Sequence, residues 1–162
     1  MRKILIIEDN EDVRENTADL LELSNYQVVT SPEGRSGIQK ARDFNPDLII
    51  CDIMMPEMDG YQVLEALLED ESMAGIPFIF LSAKADKSDV RKGMNMGADD
   101  YLTKPFEEHE LLEAIKTRLK KHDFLQREFS RDIRGINEFI AQAASYLDAE
   151  HIERTYHSKH YA

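Results

Sequence analysis

Pro46-Asp47-Leu48-Ile49-Ile50-Cys51-Asp52 is an apolar run that ends abruptly in a carboxylate. Four apolar residues in a row, partly β-branched and opened by Pro46, predict a short strand buried on both faces. Asp52 then stands at the carboxyl end of that strand, where open α/β sheets place their ligand crevices. The stretch after it, Ile53-Met54-Met55-Pro56-Glu57-Met58-Asp59-Gly60, is a loop marked by Pro and Gly rather than by polarity. Asp52 taken alone fits two roles, a cap for that loop or an accessible nucleophile.

Outward from this strand, the same pattern recurs. Lys3 to Ile7 is an apolar strand ending in Glu8-Asp9, and Asn10 or Asp12 caps a helix through about Leu23. Tyr26 to Thr30 is a second strand, and Ser31-Pro32-Glu33 opens a helix through about Phe44. Tyr61 to Glu69 is helical, with Val63, Leu64, Leu67 and Leu68 as its apolar stripe. A fourth strand, Phe78 to Leu81, ends at Ser82-Ala83. A helix from Asp86 to Met96 then stops at Gly97. Ala98 to Thr103 is a fifth strand, followed by Lys104-Pro105 and a helix from about Phe106 or Glu107. Five strand–helix repeats without hairpin turns predict a parallel sheet with right-handed crossovers and helices on both faces. Asp9, Asp52, Ser82 and Lys104 all fall at the carboxyl ends of strands. That edge is the candidate site.

Composition narrows the classes. The 162 residues suffice for one ordinary domain and an appendage, and 42% apolar with 32% charged content is that of a folded soluble protein. No run approaches the roughly 18 apolar residues of a membrane span, and the N-terminus is too short for a signal peptide. A single cysteine, Cys51, excludes an internal disulfide and sits in a buried strand as an inert thiol, so a cytoplasmic location is expected. A net charge of −12 argues against direct nucleic-acid binding and for protein partners.

Glu8 and Asp9 beside Asp52 put three carboxylates together, and unpaired they raise one another's pKa. A hard divalent cation resolves the repulsion, since Mg²⁺ takes one or two carboxylates, waters and phosphate oxygens. With the metal and the Lys104 ammonium neutralising it, Asp52 stays ionised and can attack phosphorus. Lys104, the Ser82 hydroxyl and backbone amides after Asp52 supply positioning and charge neutralisation for phosphoryl transfer.

Glu8-Asp9, Asp52 to Gly60, Leu81-Ser82-Ala83, and Gly97 to Phe106 together resemble the receiver (CheY-like) domains of two-component response regulators. The resemblance covers residues 1–122 and implies a flavodoxin-like (βα)5 doubly wound sheet of strand order 2-1-3-4-5. It implies that Asp52 is phosphorylated by a sensor histidine kinase or phosphotransfer protein, with Mg²⁺ (or Mn²⁺) required. By the same resemblance Asp9, Asp52 and the Met54 carbonyl hold the metal, with Glu8 acting through a water. Lys104 pairs with the phosphoryl group, the Lys104–Pro105 bond is cis, and Ser82 and Tyr101 are the switch pair. Such a domain catalyses its own phosphorylation and dephosphorylation and is a switch more than an enzyme with an external product. The family's output surface corresponds to the fourth helix, fifth strand and fifth helix. There Lys87, Arg91 and Lys92 could meet Asp99, Asp100, Glu108 and Glu113 of a second copy across a two-fold axis.

Residues 123–162 carry five basic and seven acidic side chains, so the remaining −10 lies in 1–122. Ile115, Leu119, His122, Gln126, Phe129, Ile133, Ile136, Ile140, Ala143 and Leu147 follow alternating steps of four and three, a heptad seam. A helix from Glu107 to Ala149 would reach roughly 65 Å. It needs a second copy, another protein or a fold-back to cover its stripe, and a homodimeric coiled coil is the first expectation. The extension, 123–162, is heptad-patterned to about 149, and Thr155 to Ala162 is expected to fray. His151, His157 and His160 are read as solvated tail residues. Three other readings compete. In one, the chain is the N-terminal part of a longer regulator whose DNA-binding or enzymatic output domain lies beyond it. In another, it is a receiver-like scaffold that is never phosphorylated. A phosphohydrolase using Asp52 would want an acid two residues on, where this chain has Met54.

Overall fold

Alternate residues of the three central strands point to opposite faces of one parallel sheet, and each face carries its own core. The computed structural model describes the backbone of residues 1–160 and the side chains of residues 1–148. Its elements are β1 (Lys3–Ile7), α1 (Glu11–Leu23), β2 (Gln27–Ser31), α2 (Gly34–Phe44) and β3 (Leu48–Cys51). They continue with α3 (Gly60–Leu68), β4 (Phe78–Ser82), α4 (Lys87–Met96), β5 (Asp100–Thr103) and α5 (Glu108–His160). The strand order is β2-β1-β3-β4-β5 with every pairing parallel, which is the expected flavodoxin-like topology. Strands β1, β3 and β4 are buried, whereas the edge strands β2 and β5 are half-exposed.

On one face Leu5, Ile7, Ile49, Cys51, Phe78 and Phe80 pack with Ile38 and Ala41 of α2 and with Val63, Leu64 and Leu67 of α3. On the other Ile4, Ile6, Leu48, Ile50, Ile79 and Leu81 pack with Leu21 of α1 and Leu111, Ile115 and Leu119 of α5. Ile115 and Leu119, read from sequence as the start of the heptad seam, are therefore core residues of the sheet domain.

Local chemistry sets the boundaries. Asn10 caps α1 by accepting from Val13 N at 3.1 Å, and Asp59 and Gln62 form a capping box at α3. Strand β2 is shifted one residue from expectation, because Tyr26 N bonds Leu21 O in the turn and Ser31 pairs with Ile7. Strand β5 begins at Asp100 rather than Ala98. Ala98 N still serves Gly93 O of the preceding helix, and the Asp99 carboxylate accepts from Phe78 N at 2.8 Å.

The chain divides into two compact units, Met1–Lys121 and His122–Ala162. Helix α5 is bounded at His160, so Thr155–His160, expected to fray, lies within it. Propagation adds one hydrogen bond per residue once a helix exists. The side chains of His151, His157 and His160, and all of Tyr161 and Ala162, lie outside the described residues. Among the described residues no helix is long and apolar enough to cross a membrane.

Among the glycines, Gly60 sits in the closest backbone approach. A Cβ there would sit 2.3 Å from the Asp52 carbonyl oxygen and 2.8 Å from Ile53 Cα. The glycine lets the start of α3 close against the backbone that carries Asp52, with Gly60 N bonded to Ile53 O at 2.8 Å. Gly60→Ala is expected to cost about 2 kcal/mol or more in urea denaturation. Gly75→Ala, where nothing lies within 4 Å of the added carbon, should stay within about 0.5 kcal/mol of wild type.

Candidate phosphoacceptor and metal site

Neighbouring strand ends bring the polar residues together. Asp52 N bonds Ile7 O at 3.0 Å, which sets Asp52 beside Glu8, and Lys104 N bonds Ser82 O at 2.8 Å. The Lys104 ammonium reaches both carboxylates, at 2.5 Å from Glu8 Oε1 and 3.4 Å from Asp52 Oδ2. The other oxygen of Asp52 accepts from Ile53 N at 2.7 Å and Met54 N at 3.4 Å. The Lys104–Pro105 peptide bond is cis.

Glu8 and Asp52 are buried, at 3% and 8% exposure, whereas Asp9 is exposed. Oxygens of the three carboxylates lie within 4.8 Å of one another. Glu8 Oε2 is buried without a hydrogen-bond partner. An orphaned buried carboxylate oxygen beside two further acids is a donor set suited to a hard cation. An open cleft of about 420 Å³ adjoins the group, lined by Asp9, Met54, Met55, Pro56, Asp59 and Lys84 among others. The Met54 side chain is exposed on its rim.

Ser82 is fully buried, and its hydroxyl accepts from Lys84 N at 3.3 Å. Tyr101 donates its phenolic proton to Lys84 O at 2.7 Å. One peptide unit of the β4–α4 loop is thus held at its N–H by Ser82 and at its carbonyl by Tyr101. Burial, with Tyr61 nearby, pushes the Tyr101 phenol up to about 12, so it stays a donor at neutral pH. Its ring lies 5.9 Å from that of Phe80, which in turn meets Tyr61 edge-on at 5.5 Å. Helix α4 rests on this row at Gly93, where a Cβ would meet Phe80 at 3.0 Å and Tyr101 at 3.1 Å.

Sequence reasoning missed two contributors. Arg14 donates to the carbonyls of Glu8 (2.9 Å) and Asp9 (3.4 Å), pinning the backbone of the acidic pair. Its place one turn into a helix capped by Asn10 was the available signal. Lys84 contributes through its backbone, for which side-chain identity gives no signal. The reciprocal charges expected on the α4–β5–α5 face are partly engaged within the chain. Asp100 pairs with Arg118 at 3.4 Å, Asp99 closes the start of β4, and Lys92 sits 4.1 Å over the Tyr61 ring.

Burial first, and the adjacent Asp52 second, push the Glu8 carboxyl up to about 7 against the opposing pull of Lys104. Between its ordinary value near 4.5 and 7 the folded protein keeps a proton that the unfolded chain has released. Its stability therefore falls as pH rises through that window. Urea denaturation with chelator present should give a lower unfolding free energy at pH 7.5 than at pH 5.5, by roughly 1–3 kcal/mol. Glu8→Gln should remove most of that difference.

The comparisons with known proteins agree with this geometry. The family model described as response regulator receiver domain matches residues 4–116. Protein PilG of Pseudomonas aeruginosa is 38% identical over 72% of this chain and 87% of its own length. The alkaline phosphatase synthesis transcriptional regulatory protein PhoP of Bacillus subtilis is 36% identical over 75% of this chain and 50% of its own. Hybrid signal transduction histidine kinase D of Dictyostelium discoideum is 39% identical over 86% of this chain. The chain spans 9% of that kinase and about half of the transcriptional regulators it matches. A receiver domain protein from Clostridium thermocellum superposes with a TM-score of 0.72 at 26% identity, over 77% of this chain and 99% of that one. The receiver domain of sensor histidine kinase PA1611 from Pseudomonas aeruginosa, solved with magnesium in its active-site cleft, superposes at 0.69. It is 28% identical over 74% of this chain and 98% of its own. With the family model covering well over half of it, this chain belongs to the response regulator receiver domain family.

Proposed function

We propose that this chain is a phosphoacceptor switch in which Asp52 takes a phosphoryl group from the histidine of a sensor kinase or phosphotransfer protein. The observation that carries the reading is the single Lys104 ammonium shared between Glu8 and Asp52, beside the unpartnered Glu8 oxygen. Asp9, Asp52 and the Met54 carbonyl would hold a Mg²⁺ or Mn²⁺ ion, with Glu8 acting through a water. The magnesium held by the PA1611 receiver supports this assignment. When bound, the ion supplies two positive charges against the carboxylates and the phosphoryl oxygens.

Asp52 Oδ1 is held by backbone amides, which leaves Oδ2, facing Lys104, as the attacking oxygen. It forms the new P–O bond as the P–N bond breaks, and the imidazole nitrogen leaves with the electron pair. Lys104 then follows the charge onto the phosphoryl oxygens. The Ser82 hydroxyl turns to the new acceptor, releasing Lys84 N. Tyr101 and α4 resettle, and the surface around the β4–α4 loop changes. The extension acts as a contact arm that self-associates through its apolar stripe. The regulator's downstream activity, whether carried by this chain or by an output domain of a longer protein, depends on that surface.

Acetyl phosphate with Mg²⁺ should add the mass of one phosphoryl group, labile to hydroxylamine as acyl phosphates are. The gain should vanish in Asp52→Ala and in chelator, and Lys104→Ala should slow it by about 10² or more. No gain in the wild type would support an unphosphorylated scaffold. Sustained turnover of a phosphoester lost in Asp52→Ala would support a phosphohydrolase.

A further inference from the structure

Beyond the sheet domain, the extension carries an uncovered apolar face wider than a two-residue seam. With Gln126 at heptad position a, the seam places Phe129 and Ile136 at d and Ile133, Ile140 and Leu147 at a, each 40–63% exposed. Of four further large exposed apolar residues, Leu125, Phe139 and Tyr146 fall at position g, 55–72% exposed, and Phe124 alone falls at f. The matching e positions hold Asp123, Ser130, Asn137 and Ala144. The stripe therefore covers a, d and g, roughly 140° of the helix circumference at 3.6 residues per turn, and stops short of e. Eight such side chains leave on the order of 800 Å² of apolar surface in one strip, about one partner's share of a stable interface.

The one-sidedness of this face selects an orientation. In a parallel pair g flanks e of the other helix, so Phe139 and Leu125 would lie against the small or polar Ala144 and Ser130. In an antiparallel pair g meets g and e meets e, so the apolar flank covers itself and the polar flank stays wet. We propose that the extension pairs antiparallel with a second copy of itself, Ile136 of each chain packing against Ile140 of the other. That register sets Phe129 against Leu147 and Ile133 against Ala143, a large residue facing a small one. Phe139 meets its counterpart near the two-fold axis, and the Asp132 carboxylate, the charged residue at a g position, comes opposite the Tyr146 hydroxyl. Gln126 falls at the end of the apolar layers rather than inside them. Charge does not oppose the pairing. Residues 123–148 carry three arginines and five acids, nearly balanced beside the −10 of residues 1–122.

The pairing deepens the self-association stated under Proposed function, and orientation can fail while association holds. Spin labels on Arg127→Cys and, separately, on Glu138→Cys test it, since both sites lie outside the stripe and Cys51 is buried beyond the label's reach. Glu138 lies at the centre of the proposed register, so its labels should sit about 20–25 Å apart in either orientation. Arg127 lies far from the centre, so its labels should be more than about 30 Å apart if antiparallel and about 20–25 Å if parallel. A short distance at both sites overturns the antiparallel pairing and keeps the dimer. A monomeric mass by light scattering, with no intermolecular distance at either site, overturns both and leaves the Asp52 chemistry to its own test.

Discussion

One ammonium stands among three carboxylates, and most of the sheet's C-terminal edge is arranged around that imbalance. Lys104 lies within salt-bridge reach of both Glu8 and Asp52, and Asp9 contributes a further negative charge. At about 4 Å and an effective dielectric near 20, each like-charge pair costs roughly 4 kcal/mol. The cost shows in the Glu8 carboxyl, which burial and Asp52 push up to about 7. A divalent cation would bring three carboxylates and one lysine to neutrality, and on the proposed reading an incoming phosphoryl group would meet a site already balanced. Repulsion in the resting state and the proposed acceptance of a dianion would be two consequences of the same charge count.

The fold places this group because each member ends a strand or directly follows one. Parallel strands bring all carboxyl ends to one edge, so side chains distant in sequence become neighbours without long loops. That is why the fold and the grouping of the candidate site residues were legible in the sequence. Four of the five strands stop at a polar residue of the candidate site, namely Glu8, Asp52, Ser82 and Lys104. What was illegible is of two kinds. Backbone roles leave no trace in residue identity, as with the Lys84 peptide that Ser82 and Tyr101 hold at its two ends. Overlapping periodicities also cannot be separated over two turns. Ile115 and Leu119, four residues apart, suit a 3.6-residue helix packed on a sheet as well as a 3.5-residue seam, and burial assigns them to the sheet. Helix α5 thus serves two masters in succession, with its first three turns in the domain core and its later large apolar residues, among the described ones, exposed.

Between the acidic group and the surface lies a short mechanical path. Ser82 and Tyr101 share one loop peptide, Tyr101 and Phe80 form the floor on which α4 rests at Gly93, and Lys92 ties α4 to Tyr61 of α3. On the proposed reading, a hydroxyl that leaves Lys84 N for a phosphoryl oxygen would loosen one end of that path. Close packing makes an aromatic row of this kind respond by resettling between discrete arrangements rather than by bending.

On the proposed reading, the acidic group is a cation site completed by its own charge imbalance. Calorimetric titration of the purified chain with Mg²⁺ at neutral pH tests it most directly, alongside Asp9→Asn and a reference variant at the exposed Glu71. The expected result is one ion per chain, with binding abolished or severely weakened in Asp9→Asn and unchanged in Glu71→Gln. Equal binding by all three proteins, or none by the wild type, would contradict it.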